Sequence, residues 1–175
     1  MEINDEYILS TFMLEQERGF RLLMSKYKEP IYWFVRRMVV DHADAQDVTQ
    51  NTFIKVFRSA DSLHEVRSLK SWLYRIATNE ALSFLRGKNN GQCSIDDLKM
   101  DTPQADAYVD FDDVEAVKLQ CAIATLPTKQ RLACHLHYYD ELSYQEMAEV
   151  MESSAATAKV NYHLAKEKIV KYMNA

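Results

Sequence analysis

Between residues 44 and 86 the apolar positions recur at intervals of three and four, which predicts two helices joined by a polar loop over residues 59–68. In the first helix Ala45, Val48, Thr49, Thr52, Phe53 and Val56 share one side, leaving Asp47, Gln50, Asn51, Ile54 and Arg58 on the other. In the second, Leu69, Leu73, Ile76, Ala77 and Phe84 make the expected buried face. At about 100° per residue, Trp72, Arg75, Asn79 and Arg86 then line up on a neighbouring stripe. Upstream, the pattern predicts a short helix capped at Asn4 or Asp5 and a second over residues 15–28. A third is expected over residues 31–40, with Pro30 fitting its first turn and with Trp33 and Phe34 packed beneath the 44–58 helix.

From residue 88 the periodicity is lost among turn residues and aspartates, and residues 89–113 read as a linker. Helical spacing returns over residues 113–124 and, after the break at Leu126-Pro127, over 128–139 with Leu132, Leu136 and Tyr139 inward. Ser143-Tyr144-Gln145-Glu146 is a capping box, in which hydroxyl and carboxylate each satisfy a free amide of the first turn. The helix it opens ends at Met151, and a last helix begins after Glu152-Ser153-Ser154, with Ser154 as its cap. Two helices across a three-residue turn, the second longer and more basic, form a helix-turn-helix pattern. On the last helix Ala158, Tyr162, Ala165, Ile169 and Tyr172 make the core stripe. Ala156, Lys159, Val160, His163 and Glu167 face the other way, toward a major groove, with Lys166 and Lys168 on the flanks where phosphates would lie. No alternating strand pattern stands out. The expectation is an all-α chain of two small helical domains, residues 1–88 and 114–175, joined by an acidic linker.

The net charge of −5 locates that acidity. Residues 1–88 hold 13 Lys/Arg against 12 Asp/Glu, residues 114–175 hold seven of each, and residues 89–113 hold one Lys against seven Asp. Neither domain is strongly basic, so affinity for free DNA should be modest. Apolar content of 47% supports a folded core. No stretch approaches the roughly 18 apolar residues of a membrane span, and the N-terminus, MEINDEY, is acidic, so a cytoplasmic protein without membrane insertion is expected. Cys93, Cys121 and Cys134 lack the number and spacing of a disulfide framework or a zinc knuckle. Cys134, His135 and His137 crowd one helix too closely to converge on one ion, and Asp110, Asp112 and Asp113 read as solvated linker rather than a magnesium site. No nucleophile–base pair, phosphate-binding glycine loop or metal-ligand spacing is present, so no catalytic residue, metal or cofactor is expected.

What remains is the stripe on the second central helix. Rings stack on base faces, amides reach base edges and cations offset phosphate charge, so Trp72, Arg75 and Asn79 suit unpaired nucleic acid. A core tryptophan beside solvated arginines fits the same periodicity.

The residues themselves carry a resemblance that decides between these. Asp44 to Asp47, Gln50, Phe53, Lys70-Ser71-Trp72-Leu73-Tyr74-Arg75-Ile76-Ala77 and Asn79 closely resemble region 2 of the extracytoplasmic-function sigma factors, promoter-recognition subunits of bacterial RNA polymerase. Leu126-Pro127, Arg131, Ser143-Tyr144, Glu146-Met147-Ala148, Thr157, Lys159 and Ala165-Lys166 resemble their region 4. Several positions depart from the pattern. Asn51 stands for an acid, Ser83 for Asp, Glu152 for the turn glycine, and Asn161, Leu164 and Lys166 for arginines.

The resemblance implies binding to the polymerase β′ clamp helices through Asp47, Gln50, Asn51 and Ile54, with a further contact to the β flap. It implies opening of the −10 element by Lys70, Trp72, Arg75 and Asn79, with the 59–68 loop, candidates Ser62, His64 and Glu65, capturing an extruded base. It implies reading of the −35 element by Thr157, Lys159, Val160, Asn161, His163 and Lys166. It also implies a linker threading the polymerase and a membrane-anchored anti-sigma factor as partner. The alternative is a stand-alone helix-turn-helix regulator whose first half binds a ligand or dimerises, which leaves the Trp72 stripe unexplained.

Overall fold

The computed structural model describes residues 2–88 and 112–175. The expected linker therefore lies outside the described residues except for Asp112 and Asp113. Among the described residues every regular element is helical.

The first domain holds α1 (Asp5–Leu14), α2 (Gln16–Val39), α3 (His42–Arg58) and α4 (Leu69–Lys88). Asn4 caps α1 by accepting from the Tyr7 amide, and Asp41 caps α3 by accepting from the Asp44 amide. The expected break near Pro30 is absent: what read as two helices is one, α2. Pro30 is exposed, so the helical carbonyl deprived of its donor can turn to water, while Leu23, Tyr27 and Ile31 continue one buried face across it. The chain turns out of α2 at Val40, whose φ of 72° brings the Asp41 amide onto the Val39 carbonyl at 2.9 Å, a tight γ-turn. The loop after α3 is also more ordered than expected. Residues Ala60–Glu65 form a 3₁₀ helix pinned by the buried Leu63. Where α1 crosses α2, Gly19 lies against the Phe12 backbone, and a Cβ there would sit 2.2 Å from the Phe12 Cα.

The second domain holds α5 (Val114–Ala124), α6 (Thr128–Cys134), α7 (Tyr144–Met151) and α8 (Ala155–Met173). Asp113 caps α5, Ser154 caps α8, and both halves of the capping box at Ser143 and Glu146 are formed. The helix expected over residues 128–139 changes register at its end. His135–Tyr139 is a π-helical turn, closed by the Asp140 amide on the His135 carbonyl at 3.1 Å. The widened turn brings Asp140 against α2 and α4.

The two domains share a core. Leu132, Leu136, Leu142, Met147 and Val150 belong to the same apolar cluster as Phe34, Met38, Leu73 and Ala77. That contact corrects the expected face of α4. Ile76 and Phe84 are only half-buried, whereas Ser71, Tyr74 and Thr78 are buried. Trp33, expected in the core, is also only half-buried; Phe34 beside it is fully enclosed. A smaller cluster of Ile123, Leu126, Cys134 and Ala165 holds α5 and α8 to the rest of the second domain.

Candidate nucleic-acid interface

The α3 periodicity is realised residue for residue. Ala45, Val48, Thr49, Thr52, Phe53 and Val56 are buried, which turns Asp47, Gln50, Asn51 and Ile54 to solvent. A groove of about 1260 Å³ runs between α2 and α3, lined by Phe20, Met24, Trp33, Asp47, Gln50, Ile54 and Phe57 among others. Exposed Ile54 and Phe57 give it an apolar floor that would suit the side of another helix. Trp33 was missed as a lining residue because an aromatic side chain at helical spacing reads first as core, and Phe20 and Phe57 carried no signal that set them apart.

On α4, Arg75 and Asn79 are exposed, while Lys70 and Trp72 are half-buried. Trp72 and Arg75 edge a pocket of about 400 Å³ shared with Ser62, Glu65, Arg67, Ser68 and Ser71. Of the three loop candidates, Ser62 and Glu65 reach this pocket, and His64 is exposed outside its lining. Glu149 of α7, a residue of the second domain, closes the rim.

On α8, Thr157, Lys159, Val160, His163 and Lys166 are exposed. Thr157 is also tied into the helix start, its amide donating to the Ser154 hydroxyl at 3.0 Å. Asn161 is half-buried and donates back to the Thr157 carbonyl at 3.1 Å, so its amide is engaged within the helix. The angle between α7 and α8 is set by aromatic packing. The His137 ring stacks on Tyr144 at 4.6 Å and meets the edge of Tyr162 at 4.4 Å, with its Nδ1 2.8 Å from the Leu142 carbonyl.

The titratable groups of the second domain's interior are structural in character. Burial pushes the Cys134 thiol up to about 11, so it is an inert packing group. Burial holds His135 well below the ordinary histidine value, reinforced by the Arg37 and Arg131 guanidinia, and neither ring nitrogen has a hydrogen-bond partner among the described residues. Among those residues no group of three or more His, Cys, Asp or Glu could hold a metal ion, and no helix is long and apolar enough to cross a membrane.

Residues 23–90 match Sigma-70 region 2, and residues 116–169 match Sigma-70, region 4. The chain is 30% identical over 179 residues to the RNA polymerase sigma-H factor of Pseudomonas aeruginosa, covering 95% of this chain and 92% of that protein. The chain belongs to the extracytoplasmic-function sigma factors. The ECF RNA polymerase sigma-E factor of Escherichia coli is 27% identical over 96% of this chain and 93% of its own length. Two solved structures share the fold. CnrH in complex with the cytosolic domain of CnrY superposes with a TM-score of 0.75 at 18% identity, covering 97% of both chains. The sigma factor RpoE from Bartonella quintana, in complex with the anti-sigma factor NepR, has a TM-score of 0.70 at 20% identity and covers 90% of this chain and 98% of that one. As a sigma factor the chain is a transcription initiation factor of RNA polymerase. The stand-alone regulator is thereby left without support, because region 2 accounts for the first domain from residue 23 onward, including α3 and α4.

Proposed function

We propose that this sigma factor directs core polymerase to its promoters by dividing the work among three surfaces. The α3 face, Asp47, Gln50, Asn51 and Ile54, with the groove beside it, takes the β′ clamp helices. Lys70, Trp72, Arg75 and Asn79 hold the −10 strand as it is unpaired, with the 400 Å³ pocket receiving a base. The outer side of α8, Thr157, Lys159, Val160, Asn161, His163 and Lys166, reads the −35 element while the same domain meets the β flap. Residues 1–88 and 114–175 act as the two modules, and 89–113 as the connection between them. Opening is driven by stacking and base capture rather than by hydrolysis, so the protein works in the cytoplasm without catalytic residues, metal or cofactor. Because two proteins that share its fold were solved with anti-sigma factors or a cytosolic domain bound, an anti-sigma factor is the proposed regulator.

The observation that carries this reading is the separation of the surfaces. The groove lies on α2 and α3, and the smaller pocket lies on α4 and the 3₁₀ segment, so polymerase and DNA can be held together. The test is transcription in vitro from a library of promoter fragments, with and without core polymerase, beside a Trp72→Ala/Asn79→Ala double variant. Specific binding and strand opening should require core, and the variant should bind duplex yet fail to open it. Tight specific binding by the protein alone, unchanged by core, would refute the reading.

A further inference from the structure

The outer face of α8 is apolar where a DNA-reading helix would be expected to present donors. Ala156, Val160 and Leu164 follow one another at intervals of four residues, so they form a row along the helix. All three are exposed, Val160 by 56% and Leu164 by 39%, and Ala158 and Ala165 supply the core without them. A single exposed aliphatic residue is ordinary, whereas an apolar row on the outward face of a helix-turn-helix calls for a partner.

The polar groups around the row are engaged elsewhere. The Thr157 amide donates to the Ser154 hydroxyl at 3.0 Å, which in turn donates to the Thr157 hydroxyl at 2.9 Å. Asn161 Nδ2 donates to the Thr157 carbonyl at 3.1 Å. Lys159 leans toward α7, its Nζ 6.0 Å from the centre of the Tyr144 ring. Glu152, the acid just before the helix, accepts from Arg75 Nη2 at 2.5 Å. Glu167 is the one acid on α8 and comes a turn beyond Leu164. At about 100° per residue, Lys159 and Lys166 fall to one side of the row and Lys168 to the other. An apolar ridge between two lines of cations fits a major groove, where base edges lie between two phosphate backbones.

On that groove floor the apolar group is the C5-methyl of thymine, and the other distinguishing groups are donors and acceptors. Leu164 stands where the family has arginine, and α8 has no arginine, so the guanidinium fork that reads guanine is missing from this helix. We infer that Val160 and Leu164 read the −35 element by apolar contact with thymine methyls, selecting two thymines where an arginine would select guanine. This rests on the reading of α8 as the −35 helix. Four helical residues rise about 6 Å against roughly 3.4 Å per base pair, so the two thymines lie about two steps apart.

Deoxyuridine lacks only that methyl, so the contact can be tested without altering the protein. Holoenzyme assembled from core polymerase and the full-length chain would first select sequences from duplex promoter fragments randomised over the −35 element. The selected fragment would then be titrated beside copies in which each −35 thymine in turn is deoxyuridine. Two thymines about two steps apart should each lose about three- to fivefold in affinity, ~0.7–1 kcal/mol, the worth of one buried methyl group. Val160→Ala should abolish that loss at one of them and Leu164→Ala at the other, both being changes at exposed positions. Leu164→Arg should exchange thymine for guanine at its position. Selection without thymine, deoxyuridine tolerated at every −35 thymine, or unaltered selection by Leu164→Arg overturns the methyl contact. The sigma reading then stands, because wild type still transcribes. Variants that no longer assemble with core assign the ridge to a protein contact and overturn the inference equally. A wild type that neither selects a −35 sequence nor transcribes with core overturns the sigma reading and this inference with it.

Discussion

The Tyr74 hydroxyl donates to Asp140 Oδ1 at 2.8 Å, joining the middle of α4 to the end of the π-helical turn across 66 positions of sequence. Both residues are largely enclosed, and Arg37 completes the group with a guanidinium 4.6 Å from the Tyr139 ring. Burial and the neighbouring carboxylate hold the Tyr74 phenol protonated far above its ordinary range, so it remains a donor at every working pH. Tyr74→Phe keeps the ring and deletes the donor, leaving a buried carboxylate one partner short. The expected cost is about 1–2 kcal/mol, seen as a Tm lower by roughly 2–8 °C for a chain of this length. An unchanged Tm would mean that the hydroxyl is not engaged in solution.

His135 makes stability depend on pH. Its folded-state pKa is depressed by burial and by Arg37 and Arg131, so the unfolded chain takes up a proton near pH 6.5 that the folded chain refuses. The stability is complete above about 6.5 and declines as pH falls, by up to about 1.4 kcal/mol per pH unit. Asp140 works in the opposite sense. Burial raises its carboxyl despite Arg37, Tyr74 and Lys70, so the cost of its charge is relieved as acid is added. Thermal melts at pH 7.5 and 5.5 separate the two, since His135→Leu should flatten the fall between them. A variant as pH-sensitive as wild type would assign the decline elsewhere.

The surfaces proposed for polymerase and for the −35 element were legible because their helices face one neighbour and one solvent. On α3 the periodic face became the buried face, and on α8 Ala158 and Ala165 took the core stripe as expected, with Tyr162 and Ile169 half-buried behind them, whereas Tyr172, expected on the same stripe, is exposed in the helix's last turn. On α4 the same reasoning failed for Ser71, Tyr74 and Thr78, because a second domain covers that side, and no local spacing reports a partner 66 positions away. Pro30 misled for a related reason. The rule that proline starts a helix is local, and continuous burial of Leu23, Tyr27 and Ile31 outweighed it. Glu152, by contrast, was visible as an acid where the family has glycine, but only the fold shows what its side chain meets.

Gly19 is required by the α1–α2 crossing. Its missing Cβ would lie 2.2 Å from the Phe12 Cα and 2.4 Å from the Phe12 nitrogen, which are backbone atoms that cannot swing aside. Gly19→Ala gains a little helix propensity, under ~1 kcal/mol, and must push α1 outward, lifting its buried Ile8 and Phe12 out of their packing. A net loss of about 1–3 kcal/mol follows, measurable by urea denaturation. Equal or greater stability would show that α1 moves freely.

Salt dependence tests the −35 face. With Lys159, Lys166, Lys168 and Lys171 exposed on α8 and no arginine on that helix, its lysines set how many phosphates it can neutralise. Each lysine that contacts a phosphate contributes about 0.9 to the slope of log K against log salt. Lys166→Ala should lower that slope by about one and weaken binding alike on every sequence, whereas His163→Ala should change which sequences are preferred. Filter binding of the holoenzyme across a salt series reads both, and an unchanged slope for Lys166→Ala would remove that residue from the interface.

The last prediction concerns the polymerase. Ile54 is 42% exposed and lines the α2–α3 groove with Gln50 and Phe57, an apolar side chain that the first domain's own core does not use. If the groove receives a helix of the core enzyme, Ile54 is desolvated on binding, and a charge in its place must be buried or hold the partner away. Ile54→Glu should leave the stability within about 0.5 kcal/mol of wild type, as a surface substitution. It should weaken core binding by 10- to 100-fold, about 1.4–2.8 kcal/mol. Ile54→Leu should retain most of the affinity, because shape and apolarity are kept. Competition against the unmodified protein for limiting core, followed by transcription at saturating sigma, separates assembly from promoter opening. An Ile54→Glu variant that assembles normally would move the polymerase contact off this face of α3, whatever the −10 surface does.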